Sequence, residues 1–115
     1  MDKEKMNRLY EIINKTGYIQ SINIFRKMGA ESEKEYNLAL VISSCPYNEG
    51  DIIVKILFHN VQEFKLGNID NFYRISLEIL DVSERMLEEI RYYVSESEYN
   101  MISFACSEWE YEIVN

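Results

Sequence analysis

Residues 101–114 read MISFACSEWEYEIV, and the phase of the apolar residues changes in the middle of that stretch. Ile102, Phe104 and Cys106 share one face of an extended chain, whereas Trp109, Tyr111 and Ile113 are out of step with them by one residue. Side chains alternate between the two faces of a strand, so a straight strand that kept the first set inside would also bury Glu108, Glu110 and Glu112. The pattern therefore predicts two strands, Met101 to Cys106 and Glu108 to Val114, separated by a bulge or tight turn near Ser107. With Trp109 turned into the core, the three carboxylates project outward at intervals of about 6.6 to 6.8 Å.

Upstream, short runs rich in Ile, Val, Tyr and Phe recur between polar or Gly-containing breaks at Gly29 to Lys34, Pro46 to Asp51, Gly67 to Asp70 and Ser97 to Asn100. They predict strands at Ile19 to Arg26, Tyr36 to Ser43, Ile52 to Phe58, Glu63 to Leu66, Tyr73 to Leu80 and Glu88 to Ser95. Most connections are too short for a parallel crossover, so the pairing should be largely antiparallel. Before these strands, Met6, Leu9, Tyr10 and Ile13 fall at helical spacing, with Asp2 available as N-cap and Gly17 just past the end. Between Val82 and Val94 two periods compete: Val82, Met86, Ile90, Tyr93 and Val94 fit a helix face, while Ile90, Tyr92 and Val94 fit a strand face. Only the second half is assigned as strand. The expected fold is α+β, with one N-terminal helix packed on a mainly antiparallel sheet or small β-sandwich, and residues 1–115 are expected to form a single domain.

Composition excludes several function classes. Twelve Lys and Arg against 20 Asp and Glu give a net charge of −8, which disfavours nucleic acid and anionic membrane surfaces as partners. A charged N-terminus without an apolar h-region, and the absence of a long apolar run, lead to the expectation of a cytoplasmic chain. His59 is the single histidine, Cys45 and Cys106 lack metal-ligand spacing, and the four glycines are isolated from one another. No two-histidine metal site, nucleophile elbow or phosphate-cradling loop can be assembled from these residues. No catalysis, metal or cofactor is expected.

The distribution of charge is more informative than its sum. Residues 1–60 hold eight acids and eight bases, whereas residues 61–115 hold twelve acids and four bases. After Arg91 the sequence contains Glu96, Glu98, Glu108, Glu110 and Glu112 and no base. An acidic row of this kind would complement a basic cleft in a protein partner and speed encounter with it. Tyr47, Tyr93 and Tyr99 lie in or beside turns or on the less apolar strand face, and Tyr93 and Tyr99 are the candidate contact residues. Charged residues on a terminal strand also keep a sheet edge from pairing with other chains. A small-ligand or structural module whose acids only solubilise it is the competing reading. A carboxylate-dependent hydrolase would need two acids converging in a cleft with split pKa values, and a flat strand sets them side by side instead.

From about Asp51 to Ile113 several stretches carry a family resemblance: Phe58-His59-Asn60-Val61, Ile79-Leu80-Asp81-Val82-Ser83-Glu84-Arg85, Tyr92-Tyr93-Val94 with Glu96 and Glu98, and Ile102-Ser103-Phe104-Ala105-Cys106 followed by Trp109-Glu110. In these the chain resembles small acidic bacterial proteins of the kind found among immunity proteins of polymorphic toxin systems. The resemblance implies a run of antiparallel strands and a role in binding and blocking a cognate toxin. It assigns no individual binding residue.

Overall fold

The computed structural model describes residues 3–26, 35–68, 70 and 74–114. Among these, the helix α1 spans Lys3–Lys15, and the strands are β1 Tyr18–Arg26, β2 Tyr36–Ser43, β3 Ile53–His59, β4 Gln62–Leu66, β5 Leu77–Asp81, β6 Tyr92–Glu96, β7 Ile102–Cys106 and β8 Glu108–Val114. They form two four-stranded sheets, β1-β2-β3-β8 and β4-β7-β6-β5. The paired strands are antiparallel throughout.

The phase break at Ser107 is the point where the chain leaves one sheet for the other. β7 pairs with β4 and β6 in the second sheet, and β8 pairs with β3 in the first. The β3 to β4 connection makes the same crossing beside it, and the two corners are tied together. The Ser107 backbone N–H donates to the His59 carbonyl at 3.0 Å, and Asn60 Nδ2 donates to Ser107 Oγ at 3.0 Å. Two paired strands thus bend together from sheet to sheet, the usual way a small sandwich closes its corners.

The inner faces follow from the register. Leu38, Leu40, Ile42, Val54, Ile56 and Phe58 from the first sheet are buried against Ile79, Val94, Ile102, Phe104 and Cys106 from the second. The Phe58 and Phe104 rings meet edge to face at 4.8 Å between centroids. α1 adds Leu9, Ile12 and Ile13 to this core, and each such aliphatic side chain contributes about 1.5–3 kcal/mol when fully buried. The helix also touches both sheets through polar tips. Lys5 Nζ donates to the Trp109 carbonyl on β8 at 2.6 Å, and the Tyr10 hydroxyl accepts the Ile79 N–H on β5 at 2.9 Å. Gly17 ends this segment at φ +82°, where a Cβ would meet the Arg74 side chain at 2.8 Å.

Three expectations need adjustment. The proposed cap Asp2 lies outside the described residues, as does Tyr73 at the predicted start of the fifth strand. β5 begins only at Leu77, because the Ile75 N–H is taken by the Gly17 carbonyl at 2.8 Å rather than by a neighbouring strand. The predicted strand from Glu88 starts instead at Tyr92. Val82 N–H bonds to the Arg91 carbonyl at 2.8 Å and closes a loop in which Ser83–Arg85 form one 3₁₀ turn and Glu89 has φ 61°.

Both cysteines are free thiols, Cys45 exposed and Cys106 buried, and burial pushes the Cys106 pKa up to about 12. Thiolate is the reactive form. A maleimide should therefore label one thiol per folded chain, at Cys45, and a second only in denaturant. Two labels on the folded chain at comparable rates would mean that the β7 end of the core opens readily.

Candidate functional site

The outward face of the first sheet is built by alternation along β3 and β8. The core-facing pairs are Val54 with Ile113, Ile56 with Tyr111 and Phe58 with Trp109; the outward pairs are Lys55 with Glu112, Leu57 with Glu110 and His59 with Glu108. Trp109 is 6% exposed, Tyr111 is half-buried and Glu108, Glu110 and Glu112 are exposed. Burial fades along the strand, since Ile113 is 45% exposed. β8 is an edge strand, so the three carboxylates stand along a rim of the sandwich.

This row is less isolated than the sequence implies. The chain has no base after Arg91, but β3 brings Lys55 opposite Glu112 and places His59 Nε2 3.4 Å from Glu110 Oε1. The imidazole is the weaker compensation, being cationic only when protonated. The Glu110 side chain remains 63% exposed beside it. Antiparallel registration from about 50 residues away carries no local signature, so the sequence does not show Lys55 and His59 beside the row. Next to the row, Lys55, Leu57, Glu110, Tyr111 and Glu112 line an open groove of about 290 Å³.

Glu96 must be removed from the surface set. It is 1% exposed, and its carboxylate accepts the backbone N–H groups of Tyr99 at 2.6 Å, Glu98 at 3.0 Å and Ser76 at 3.2 Å. Burial alone would raise its pKa, but these donors, with Met101, outweigh burial and hold it below the usual glutamate range. Glu96 therefore organises the β6 to β7 turn. That turn displays Glu98 and Tyr99, both exposed, at the end of β7 opposite Ser107.

Tyr93 occupies a third location. Its cross-strand partners are Leu80 and Ala105, which places it on the outer face of the second sheet beside an open groove of about 450 Å³ that Phe64, Lys65, Ser95 and Ser103 also line. The residues nominated from sequence thus divide into the β8 row, the 97–100 turn and the outer face of the second sheet. Glu108, Glu110 and Glu112 form one row, Glu98 and Tyr99 share the turn, and Tyr93 stands apart from both.

The β5 to β6 loop was also missed, because Val82, Met86 and Ile90 mimic a buried helix face. Val82 is buried, but Met86 is 90% and Leu87 40% exposed. The local signal was Asp81 followed by Ser83, a pair suited to a side-chain-capped turn: Asp81 Oδ1 accepts both the Ser83 N–H at 2.8 Å and its hydroxyl at 2.6 Å.

Among the described residues no group of three or more His, Cys, Asp or Glu side chains is placed to hold a metal ion. No helix among them is long and apolar enough to cross a membrane. No curated protein and no solved structure matches the chain. A family model does match, over residues 1–112, and it therefore takes in the helix, both sheets and the acidic strand. By that match the chain belongs to the family described as Immunity protein PIM8.

Proposed function

We propose that this protein neutralises a toxin by binding it without catalysis, and that the outward face of β8 docks on a basic surface beside the toxin's cleft. The observation that carries this reading is the exposed row Glu108, Glu110 and Glu112 along one rim in a chain of an immunity family. Lys55 faces the row from β3 and Lys5 reaches the Trp109 carbonyl within it, yet three carboxylates exceed these two bases when His59 is neutral, and the row keeps an excess of negative charge. Exposed charge at a rim acts mainly on the rate of encounter, which suits an inhibitor that must reach its toxin quickly.

The row has a second reading, supported by the place of β8 at a sheet edge: three carboxylates there also discourage pairing with another chain. The two readings differ in whether a partner senses the charge.

Non-catalytic neutralisation has a stoichiometric signature. The neighbouring reading frames are first screened for a product that is toxic to cells lacking this protein; titrated against that product, its activity should fall linearly to zero at one equivalent, and the toxin recovered from the complex should have unchanged mass and full activity. Complete neutralisation by a small fraction of an equivalent, or recovery of a covalently altered toxin, would replace binding with an enzymatic mechanism.

A further inference from the structure

The loop between β5 and β6 presents apolar side chains that the fold does not use. Val82, 2% exposed, and Ile90, half-buried, already anchor its two ends, while Met86 stands 90% in solvent with Leu87, 40% exposed, next to it. A single exposed apolar residue is ordinary. Met86 is different because the backbone holds it out: it has φ 52°, a left-handed conformation disfavoured for residues with a Cβ, and Glu89 in the same loop has φ 61°.

The loop is fixed from below. Met86 N–H donates to the Ser83 carbonyl at 3.1 Å and Arg85 N–H to the Val82 carbonyl at 2.9 Å, in addition to the Asp81 contacts with Ser83. A methionine held on an ordered loop combines little backbone entropy to lose with a polarizable side chain that adapts to irregular pockets. The collar around it is acidic on balance: Glu84, Glu88 and Glu89 are exposed and Asp81 stands at the start of the loop, against Arg85 and Arg91 as its bases. The loop also lies at the β8 end of the molecule, since Arg91 N–H donates to the Cys106 carbonyl at 3.0 Å, two residues before Glu108.

We propose that the Ser83–Glu89 loop is an anchor that seats Met86, flanked by Leu87, in an apolar socket of the toxin rimmed by Lys or Arg. The inference rests on the reading above that a basic toxin is the partner, and it adds a contact that acts after encounter. The β8 row governs association; a desolvated anchor governs dissociation. The acidic collar selects a cationic rim and opposes an anionic lipid surface as the occupant.

The test uses the full chain and the toxic product that the screen of neighbouring reading frames identifies, with rates read by surface-immobilised binding. Met86→Ser with Leu87→Ser should leave the melting temperature and association rate near wild type and raise the dissociation rate about tenfold or more, while Met86→Leu should retain slow dissociation. If wild type binds and the double variant dissociates at the wild-type rate, the anchor is wrong and the neutralisation reading stands. If wild type does not bind the toxin, both fail. Concentration-dependent dimerisation of the protein alone, abolished by the double variant, would also overturn the proposal by assigning the loop to a second copy of this chain.

Discussion

Trp109→Ala should lower the stability of the folded protein by about 3–5 kcal/mol. The residue is 6% exposed and joins three elements. Its ring stacks on Tyr111 at 6.4 Å between centroids, meets Tyr92 of β6 edge to face at 6.4 Å and lies 4.2 Å from the Lys5 ammonium of α1. Truncation leaves a cavity where the acidic strand, the second sheet and the helix come together, and the backbone bond from Lys5 to the Trp109 carbonyl cannot fill it. Single Glu→Gln changes at Glu108, Glu110 or Glu112 should stay within about 0.5 kcal/mol. Denaturant melts followed by circular dichroism measure both, because the alanine variant loses the chain's only tryptophan. The opposite ranking would mean that the strand faces are reversed.

Glu96→Ala should cost about 3 kcal/mol, the order expected when several buried N–H donors lose a charged acceptor. The donors are the backbones of Ser76, Glu98 and Tyr99, so the loss reaches the β6 to β7 turn and the segment entering β5 together. The sign of the pH dependence follows from the depressed carboxyl pKa. The folded state binds this proton less readily than the unfolded state, so the stabilisation is complete above the unfolded pKa and disappears as pH falls through the folded one. Asp81, held low by the Ser83 hydroxyl and backbone N–H, contributes with the same sign. Glu96→Gln should therefore flatten the acid limb of the stability profile relative to wild type without abolishing it. An unchanged acid limb would show that the Glu96 carboxylate does not hold the turn.

The sequence made the corner at Ser107 legible because a one-residue phase slip has a single consequence on a pleated strand. It could not show that this corner also changes sheets. Tyr93, nominated along with the acidic row as a contact residue, belongs to the outer face of the other sheet. The helix was legible from Met6, Leu9, Tyr10 and Ile13 because its period is local. Lys55 and His59 opposite the row, and Ser76 on Glu96, are contacts set by pairing across long separations, and composition cannot reveal them. At Val82 to Ile90 the apolar spacing was misleading for a physical reason: positive φ at Met86 and Glu89 breaks any regular period, and solvent-facing apolar residues look the same in sequence as buried ones.

Whether the β8 carboxylates steer this protein onto a basic toxin is decided by association rates for wild type and a variant with Glu108, Glu110 and Glu112 all changed to Gln, at low and high salt. With steering, the variant associates more slowly at low salt, with a flatter salt dependence and an almost unchanged melting temperature. Association as fast as wild type at low salt would contradict it and leave the carboxylates the task of guarding a sheet edge.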